Sequence, residues 1–474
     1  MIGALAALAG LTVLRLIVAA ATPLAPDEAY YWVWSRVLAP GFLDHPPMVA
    51  LWIRIGTALA GDGALGVRLL APVATALGSV LVVQAGRDLL GTRALGVRAA
   101  GLLNATLLFG AGGVTMTPDT PLLFFWTATL WALARLWATG NGAWWLLAGL
   151  AAGLAADSKY TAFLLAPAML LWVLWVPGLH LWLRRVQPAL GVLLGAAAFL
   201  PVLLWNATHD WVSFIRQGGR VGDWAPVRAL QFLGELVAGQ IGLATPLLAV
   251  LFAAGIARAA QGAARREAVW SLLAALTVIP AAVFVQHALG DRVQANWPAV
   301  IYPAAALAAA PLLRRWQAPA MALGFALTAV VYLQATLAPL RLSPWLDPTL
   351  AQLGGWPGLS AEVAGIAARA GAGYVAADNY GLAAELARGL PATLPVLGAD
   401  PRWAYFALRP PRPAETDRPG LLLRPAGRGD GGWPGAHLVG EVVRARDGLV
   451  AARYSLYVVT GLPDTPAVVL PRPR

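Results

Sequence analysis

Long apolar runs recur along the chain from its start to position 340 and determine its organisation. Each has roughly the length of a helix that crosses the hydrocarbon core of a bilayer, about 20 residues. The runs lie at 2–21, 66–86, 96–116, 119–138, 142–157, 160–177, 187–205, 240–257, 268–287, 297–313 and 319–338. The run at 142–157 is short and rich in Gly and Ala. The pattern predicts an all-α polytopic membrane protein with about eleven transmembrane helices.

Two of the loops between these runs are long, at 22–65 and 206–239. In the first, apolar residues recur at helical spacing over 28–38 and 47–60. We expect these two stretches to form helices lying in the membrane interface, separated at Pro46 and Pro47.

From about position 341 the apolar runs give way to Pro, Gly and charged residues. Helical spacing is present at 360–370 and in a run that ends at Leu390, while 374–377, 438–444 and 453–459 have the composition of strands. The chain is therefore divided into a transmembrane module, 1–340, and a small α/β domain, 341–474.

Composition supports a membrane protein. Apolar residues make up 59% of the chain and charged residues 12%, and the mean hydropathy is +0.66, values that do not suit a soluble protein of this length. The absence of Cys excludes disulfides and thiolate metal sites. The net charge of +11 is spread over short loops, without the basic surface of a nucleic-acid-binding protein. We interpret 2–21 as a retained first helix and not as a signal peptide.

The charged residues also predict an orientation. With a cytoplasmic N-terminus, eleven arginines fall in inner loops, as the positive-inside rule expects: Arg87, Arg93, Arg98, Arg135, Arg184, Arg185, Arg258, Arg265, Arg266, Arg314 and Arg315. An odd number of spans then places 341–474 in the periplasm.

The acidic residues have the opposite bias. Of the twelve in the segment 1–340, only Asp88 and Glu267 fall inside, and ten fall outside or at outer helix ends: Asp27, Glu28, Asp44, Asp62, Asp119, Asp157, Asp210, Asp223, Glu235 and Asp291. Because acidic residues contribute little to membrane insertion, this bias predicts that the chemistry takes place on the outer face.

Asp27 and Glu28 follow Pro26 directly after the first apolar run, and Tyr30 and Tyr31 come next. One carboxylate can act as a general base on an acceptor hydroxyl while the other orients it, and the rings suit the headgroup region. Alternatively, Asp27 caps a helix and the rings anchor it. Residue types alone do not decide between these readings.

Asp44 and His45 precede two prolines, whose fixed φ angles hold the histidine in a set direction. His45 can then donate a hydrogen bond to a phosphate or pair with Asp44. The alternative is a turn histidine with neither role.

Asp119 lies between Pro118 and Pro121 at the outer start of a predicted span. It is either an N-terminal helix cap or a second active-site carboxylate.

Lys159, the one lysine in the chain, interrupts two apolar runs beside Asp157. Its compact ammonium suits a lipid phosphate, although an ion pair with Asp157 is the alternative.

Two arginines complete the set of candidate residues. Arg15 lies within the first predicted span, where a charge is costly and usually faces the protein interior. Arg292 belongs to a polar stretch, 291–298, at another outer helix start. The five histidines lack the spacing of metal ligands, and no P-loop, HExxH or dinucleotide-binding motif is present.

Four strings of the chain resemble, in order and at about the same spacing, the bacterial protein O-mannosyltransferase and aminoarabinose transferase group of GT-C glycosyltransferases. The strings are Pro26-Asp27-Glu28-Ala29-Tyr30-Tyr31, Asp44-His45-Pro46-Pro47, Thr117-Pro118-Asp119-Thr120-Pro121 and Ser158-Lys159-Tyr160. The resemblance covers 1–340, and 341–474 matches only loosely, at 377–381. Some relatives have Lys-Pro where this chain has His45-Pro46.

The resemblance implies transfer of a sugar from a polyprenyl-phosphate carrier to a lipid, glycan or protein acceptor, at the periplasmic face of the bacterial inner membrane. It implies an inverting displacement without a nucleotide sugar, cofactor or essential metal. Asp27, Glu28 and Asp119 would be the catalytic residues. From the residue chemistry and this resemblance together, we expect the substrate to be bound by Arg15, Tyr30, Tyr31, Asp44, His45, Lys159 and Arg292.

A flippase or transporter of polyprenyl-linked sugars is the alternative from another class. Transporters place polar residues near the bilayer midplane in broken helices, often in two related halves. Here the polar residues cluster toward one predicted face, which favours an enzyme. A membrane scaffold does not account for three acidic motifs at helix ends.

Overall fold

The computed structural model describes residues 2–218 and 226–473. Asp223, one of the acidic residues predicted to lie outside, is not among the described residues. The segment 1–340 is mostly helical where it is described, because the apolar runs satisfy their backbone hydrogen bonds within each segment, as a bilayer requires. The helices up to position 218 are α1 (Ile2–Ala21), α2 (Pro26–Arg36), α3 (Met48–Ala60), α4 (Ala64–Arg68), α5 (Leu70–Leu90), α6 (Arg93–Asn104), α7 (Leu107–Gly112), α8 (Asp119–Thr139), α9 (Ala143–Ala156), α10 (Leu165–Trp175), α11 (Val186–Ala207) and α12 (Val212–Gly218).

Five further helices follow before the change in composition. They are α13 (Pro226–Ala244), α14 (Pro246–Ala264), α15 (Ala268–Ala288), α16 (Tyr302–Ala309) and α17 (Arg314–Thr336). Short 3₁₀ helices lie at Tyr160–Leu164, Pro177–Arg184 and Trp297–Ile301.

Seven helices among the described residues are long and apolar enough to cross a membrane, or up to eight if the bent pair at 160–184 is one span. They match seven of the eleven predicted runs: Ile2–Ala21, Ala64–Leu90, Asp119–Thr139, Val186–Ala207, Pro246–Ala264, Ala268–Ala288 and Arg314–Thr336. The other four runs form shorter or interrupted helices, α6 with α7, α9, α10, and α16 with its 3₁₀ turn. A multi-pass helical membrane protein is confirmed, and the count of eleven stays a prediction.

The short helix α9 packs closely on α11 through glycines. A Cβ added at Gly149 would lie 2.0 Å from the carbonyl oxygen of Gly191, and one at Gly153 would lie 2.4 Å from that of Gly195. Small residues four apart on both helices let the two backbones approach, as in membrane helix pairs. The Gly and Ala content weakened the sequence signal for this segment. The same small residues allow α9 to pack closely against α11.

The second long loop and the run that follows it contain helices whose bounds the sequence did not predict. The segment 206–239 contains α12 and most of α13, and the predicted span at 240–257 is divided at Thr245. Thr245 has a positive φ of 75°, and Pro246 starts α14. A proline at the first helical position ends the preceding helix, so the apolar run continues across a break that hydropathy alone does not reveal.

The C-terminal region is the predicted α/β domain. Its helices are α18 (Pro348–Leu353), α19 (Trp356–Arg369), α20 (Tyr380–Gly389) and α21 (Pro413–Thr416), and its strands are β1 (Tyr374–Ala377), β2 (Val396–Gly398), β3 (Gly420–Pro425), β4 (His437–Arg446), β5 (Leu449–Val459) and β6 (Val468–Val469). They form one six-stranded mixed sheet in the order β4-β5-β3-β1-β2-β6. The predicted helices and strands of this region are confirmed, and β2, β3 and β6 were not predicted.

The chain divides into two compact units. The first comprises Met1–Leu16, Pro40–Trp52 and Leu70–Val330, and the second comprises Ile17–Ala39, Ile53–Leu69 and Val331–Arg474. Parts of the first long loop thus belong to the same unit as the C-terminal sheet. The predicted boundary between 340 and 341 stays a prediction.

Within the second unit, α2 packs against α20, and Glu28 to Ser35 are all buried. This burial differs from the expectation of a helix lying in the membrane interface, because protein covers the faces of α2. On α3, by contrast, Leu51, Ile55 and Leu59 form an exposed apolar stripe at helical spacing, as an interfacial helix requires.

Glu385 of α20 gives the stability of the second unit a pH dependence. Its side chain is buried, and burial raises its pKa from 4.5 to about 8, while Arg388 opposes the shift. The folded state therefore keeps a proton that the unfolded chain releases near pH 4.5, and stability falls as pH rises from there to about 8. Each pKa unit corresponds to about 1.4 kcal/mol.

We predict that Glu385→Gln flattens this dependence. Between pH 5 and pH 8 the thermal midpoint of the purified protein in detergent should fall clearly for the wild type and much less for the variant. Glu362→Gln, at an exposed position of α19, should behave like the wild type. Equal pH dependence in the wild type and Glu385→Gln would show that Glu385 is ionised in the folded state.

Candidate active site

Asp27 lies in the first turn of α2, in the second unit. Pro26 occupies the first helical position, and Glu28 accepts a hydrogen bond from the backbone N–H of Ala25 at 3.0 Å, which fixes the start of the helix. Asp27 is exposed, and the hydroxyl of Tyr380 donates to its Oδ1 at 2.9 Å. An exposed carboxylate with a fixed orientation suits a proton acceptor.

Glu28 is in a different environment from its neighbour. Arg68 donates to both of its carboxylate oxygens, at 2.7 and 2.5 Å, and each side chain is 1% exposed. The same guanidinium binds the hydroxyl of Thr22 at 2.7 Å. Proton transfer to Glu28 would break this buried pair, so the geometry favours a structural role for Glu28 over the catalytic one predicted for it.

Tyr30 and Tyr31 pack among aromatic rings of the second unit. The ring of Tyr30 lies 4.6 Å from Tyr380 and 5.4 Å from Trp403, and Tyr31 lies 5.0 Å from Trp34, between ring centroids. Tyr30 is 2% and Tyr31 7% exposed. Burial at this level differs from the expected membrane anchor, and substrate contact by these tyrosines stays a prediction.

In the first unit, the structure brings Asp119 and Lys159 together. The ammonium nitrogen of Lys159 lies 2.7 Å from Asp119 Oδ1, and Asn296 donates to Oδ2 at 2.6 Å. The ion pair of Lys159 is thus made with Asp119, and not with Asp157, two residues earlier in the chain, which was the alternative considered from the sequence. Asp119 links three segments distant in the chain, which a helix cap alone does not do.

A cavity of about 220 Å³ lies beside this ion pair, within the first unit. Its lining includes Lys159 and two histidines together with aromatic and aliphatic residues. The lining residues are His45, Lys159, Tyr160, Thr161, Phe163, Leu164, Gln217, Val283, Phe284, His287 and Trp297. A cavity with a cationic residue and many apolar side chains in its lining suits an amphiphilic anion.

Asp44 fixes the segment that carries His45. Its carboxylate pairs with Arg216 at 2.7 Å, and its carbonyl oxygen accepts from Gln217 at 2.7 Å. The prolines of the sequence motif and these two contacts together hold the imidazole at the cavity. The contacts of Asp44 therefore position His45 at the cavity.

Arg15 and Arg292 are held at other places in the first unit. Arg15, 1% exposed, donates to Asn104 Oδ1 at 2.8 Å and to the carbonyl oxygen of Phe109 at 3.0 Å. Arg292 forms a surface ion pair with Glu235 at 2.6 Å. Their predicted role in substrate binding stays a prediction.

Several residues of these sites were not singled out from the sequence: Arg68, Gln217, His287, Asn296 and Tyr380. Asn296 and Tyr380 lie in stretches that the sequence marks as polar or as weakly matched to relatives. The other three carry no local signal, since their roles depend on contacts across the fold. Within the described ranges, no group of three or more His, Asp or Glu side chains is arranged to hold a metal ion.

Comparison with known proteins places the chain among glycosyltransferases. Residues 44–205 match the sequence profile of the dolichyl-phosphate-mannose-protein mannosyltransferase family. The chain is 27% identical over 380 residues to the lipid A galacturonosyltransferase RgtD of Rhizobium johnstonii, covering 77% of each protein.

Solved structures show the same fold. Apo ArnT from Cupriavidus metallidurans superposes with a TM-score of 0.62 at 17% identity, over 94% of this chain and 96% of that one. ArnT bound to undecaprenyl phosphate gives 0.60 at 17% identity, over 95% and 96%. The predicted resemblance, the GT-C fold and the assignment to the glycosyltransferase class are confirmed by these comparisons.

Proposed function

We propose that this protein transfers a sugar from a polyprenyl-phosphate carrier to a lipid acceptor at the periplasmic face of the bacterial inner membrane. The observation that carries the proposal is the cavity of the first unit, whose lining combines Lys159 and His45 with Phe163, Leu164 and Phe284. A lipid phosphate needs a cation for its charge and an apolar wall for its chain.

The comparisons support both substrates. One structural neighbour, ArnT, is bound to undecaprenyl phosphate, which favours a carrier of this type as donor. The curated relative acts on lipid A, and its match over most of the chain favours a lipid acceptor over the protein acceptor named for the matching family.

In the proposed mechanism, the acceptor hydroxyl oxygen attacks the anomeric carbon of the donor sugar. The bond from that carbon to the phosphate oxygen breaks, and the acceptor proton passes to Asp27. Lys159 and His45 stabilise the phosphate as its charge increases. Asp119, which accepts a hydrogen bond from Asn296, fixes the ammonium of Lys159. A single displacement of this kind inverts the anomeric centre.

The test is mass spectrometry of the lipid A and glycolipid fractions of cells with and without the gene. We expect the deletion to remove one glycosyl mass increment, and the wild-type gene, but not its Asp27→Asn variant, to restore it. Loss of a sugar from glycans or proteins alone would contradict the lipid acceptor. Unchanged lipids, glycans and proteins would contradict the transferase proposal.

The proposed site orientation requires the N-terminus inside and the C-terminal domain outside. The arginines of the inner loops support this, since reversal would export all eleven. We predict that a phosphatase reporter fused after Leu340 is active and one fused after Arg266 is not. A cytoplasmic signal from the fusion after Leu340 would contradict the orientation.

A further inference from the structure

The C-terminal domain supplies a contact to the carboxylate proposed as the general base. Tyr380 is the first residue of α20, and its hydroxyl donates to Asp27 Oδ1 at 2.9 Å. The two residues are 353 positions apart in the chain, and both belong to the second unit. Their contact depends on the packing of α20 against α2.

The ring of Tyr380 packs against Arg402 and Tyr30. The guanidinium carbon of Arg402 lies 3.8 Å from its ring centroid, and the Tyr30 ring lies at 4.6 Å. Asp400 in turn binds Arg402 at 2.9 Å. A tyrosine fixed by a stacked cation and a neighbouring ring presents its hydroxyl in one direction.

The backbone around Tyr380 is fixed against the start of α2. Asn379 caps α20 by accepting from the backbone N–H of Leu382 at 2.9 Å. A Cβ added at Gly381 would lie 2.7 Å from the Cβ of Pro26, so only glycine permits this approach. The first turns of α2 and α20 therefore hold each other in register, which positions hydroxyl and carboxylate.

We propose that Tyr380 is a positioning residue for Asp27, and that the C-terminal domain thereby takes part in catalysis. The hydroxyl fixes the orientation of the carboxylate and, by donating to it, favours its ionised form. An ionised, oriented carboxylate is what a general base needs before substrate arrives. This inference rests on the proposed function, in which Asp27 accepts the acceptor proton.

The test compares Tyr380→Phe with Tyr374→Phe in the purified full-length protein. Tyr374 is a matched control, because its hydroxyl donates to the carbonyl oxygen of Gly461 within the same domain. The donor is a total polyprenyl-phosphate lipid extract of the native cells, and the acceptor is the lipid extract of the deletion strain. Transfer is followed as the glycosyl mass increment, as a function of pH.

We expect Tyr380→Phe to reduce kcat by about tenfold or more, because a hydrogen bond to a charged group contributes at least that factor, with KM for acceptor little changed. The acid limb of the rate profile should move to higher pH, because the carboxylate loses a donor that favours its ionised form. Tyr374→Phe should retain the wild-type profile. Combined with Asp27→Asn, Tyr380→Phe should cause no further loss, since the two groups act together.

Two outcomes separate this inference from the proposed function. In the first outcome, Asp27→Asn is inactive while Tyr380→Phe keeps the wild-type rate and pH profile. This result overturns the positioning role of Tyr380 and leaves the transferase proposal standing. Near-normal transfer by Asp27→Asn overturns the role of Asp27 itself, and the positioning role with it. Thermal unfolding of Tyr380→Phe close to the wild type excludes misfolding as the cause of a lowered rate.

Discussion

Replacement of Asp27 by Asn should reduce turnover by about two to four orders of magnitude, the usual contribution of a general base. Asparagine has nearly the same shape, and its carbonyl oxygen can still accept from Tyr380, so the packing of α2 on α20 should persist. The change removes a negative charge near a helix N-terminus, which costs only about 0.3–1 kcal/mol at an exposed position. Turnover of the purified variant and its thermal midpoint test this expectation.

Glu28→Gln is the contrasting variant at the adjacent position. Glu28 is buried with Arg68, and loss of one partner leaves the other charge unpaired, at a cost of about 3–5 kcal/mol. We therefore expect a lower thermal midpoint from Glu28→Gln and a lower turnover from Asp27→Asn. Near-normal turnover by a folded Asp27→Asn protein would reject Asp27 as the base.

Hydropathy predicted much of the helical architecture, because the bilayer imposes length and apolarity on a spanning segment. It was less informative where helices are short or broken. The run at 96–116 is divided after Asn104, and Thr106 caps the next helix by accepting from Phe109. An apolar run does not show such a break, since both halves remain hydrophobic.

The first loop shows a different limit of the pattern. Its two helices were predicted at nearly their observed bounds, yet α2 is buried by the second unit while α3 exposes an apolar stripe. Apolar residues recur at helical spacing both in a helix that faces lipid and in a helix that faces protein, so the pattern does not distinguish the two. The partner of α2, helix α20, lies near the opposite end of the chain and gives no local signal.

Residue chemistry located the candidate site better than it assigned roles within it. Asp119 and Lys159 were both selected for their positions at helix ends, but their ion pair depends on the packing of α8 against the segment that follows α9. Asp27 and Glu28 were indistinguishable as sequence neighbours. Successive helical residues point in different directions, and here one is exposed and the other is buried with Arg68.

Lys159→Ala should weaken binding of undecaprenyl phosphate by tenfold or more, even when no acceptor is present, because a charge-assisted hydrogen bond contributes about 1.5–3 kcal/mol. His45→Ala should weaken binding less, since an imidazole offers fewer donors than the ammonium of Lys159. Turnover should fall as well, because the same groups stabilise the departing phosphate. Lipid-phosphate affinity in nanodiscs, measured for the wild type and both variants, checks the prediction.

The ion pair with Asp119 requires a control, since Lys159→Ala leaves that carboxylate, 13% exposed, without its cation. The double variant Lys159→Ala/Asp119→Asn removes this charge and should recover stability but not affinity. Lys159→Arg should restore charge without full affinity, because the planar guanidinium needs more room.

If Lys159→Ala and His45→Ala both bind the lipid as tightly as the wild type, the phosphate site lies elsewhere. Arg216 is then the first alternative in the described chain, because it is partly exposed and borders the segment of His45 through Asp44, whereas Arg15 is fully buried.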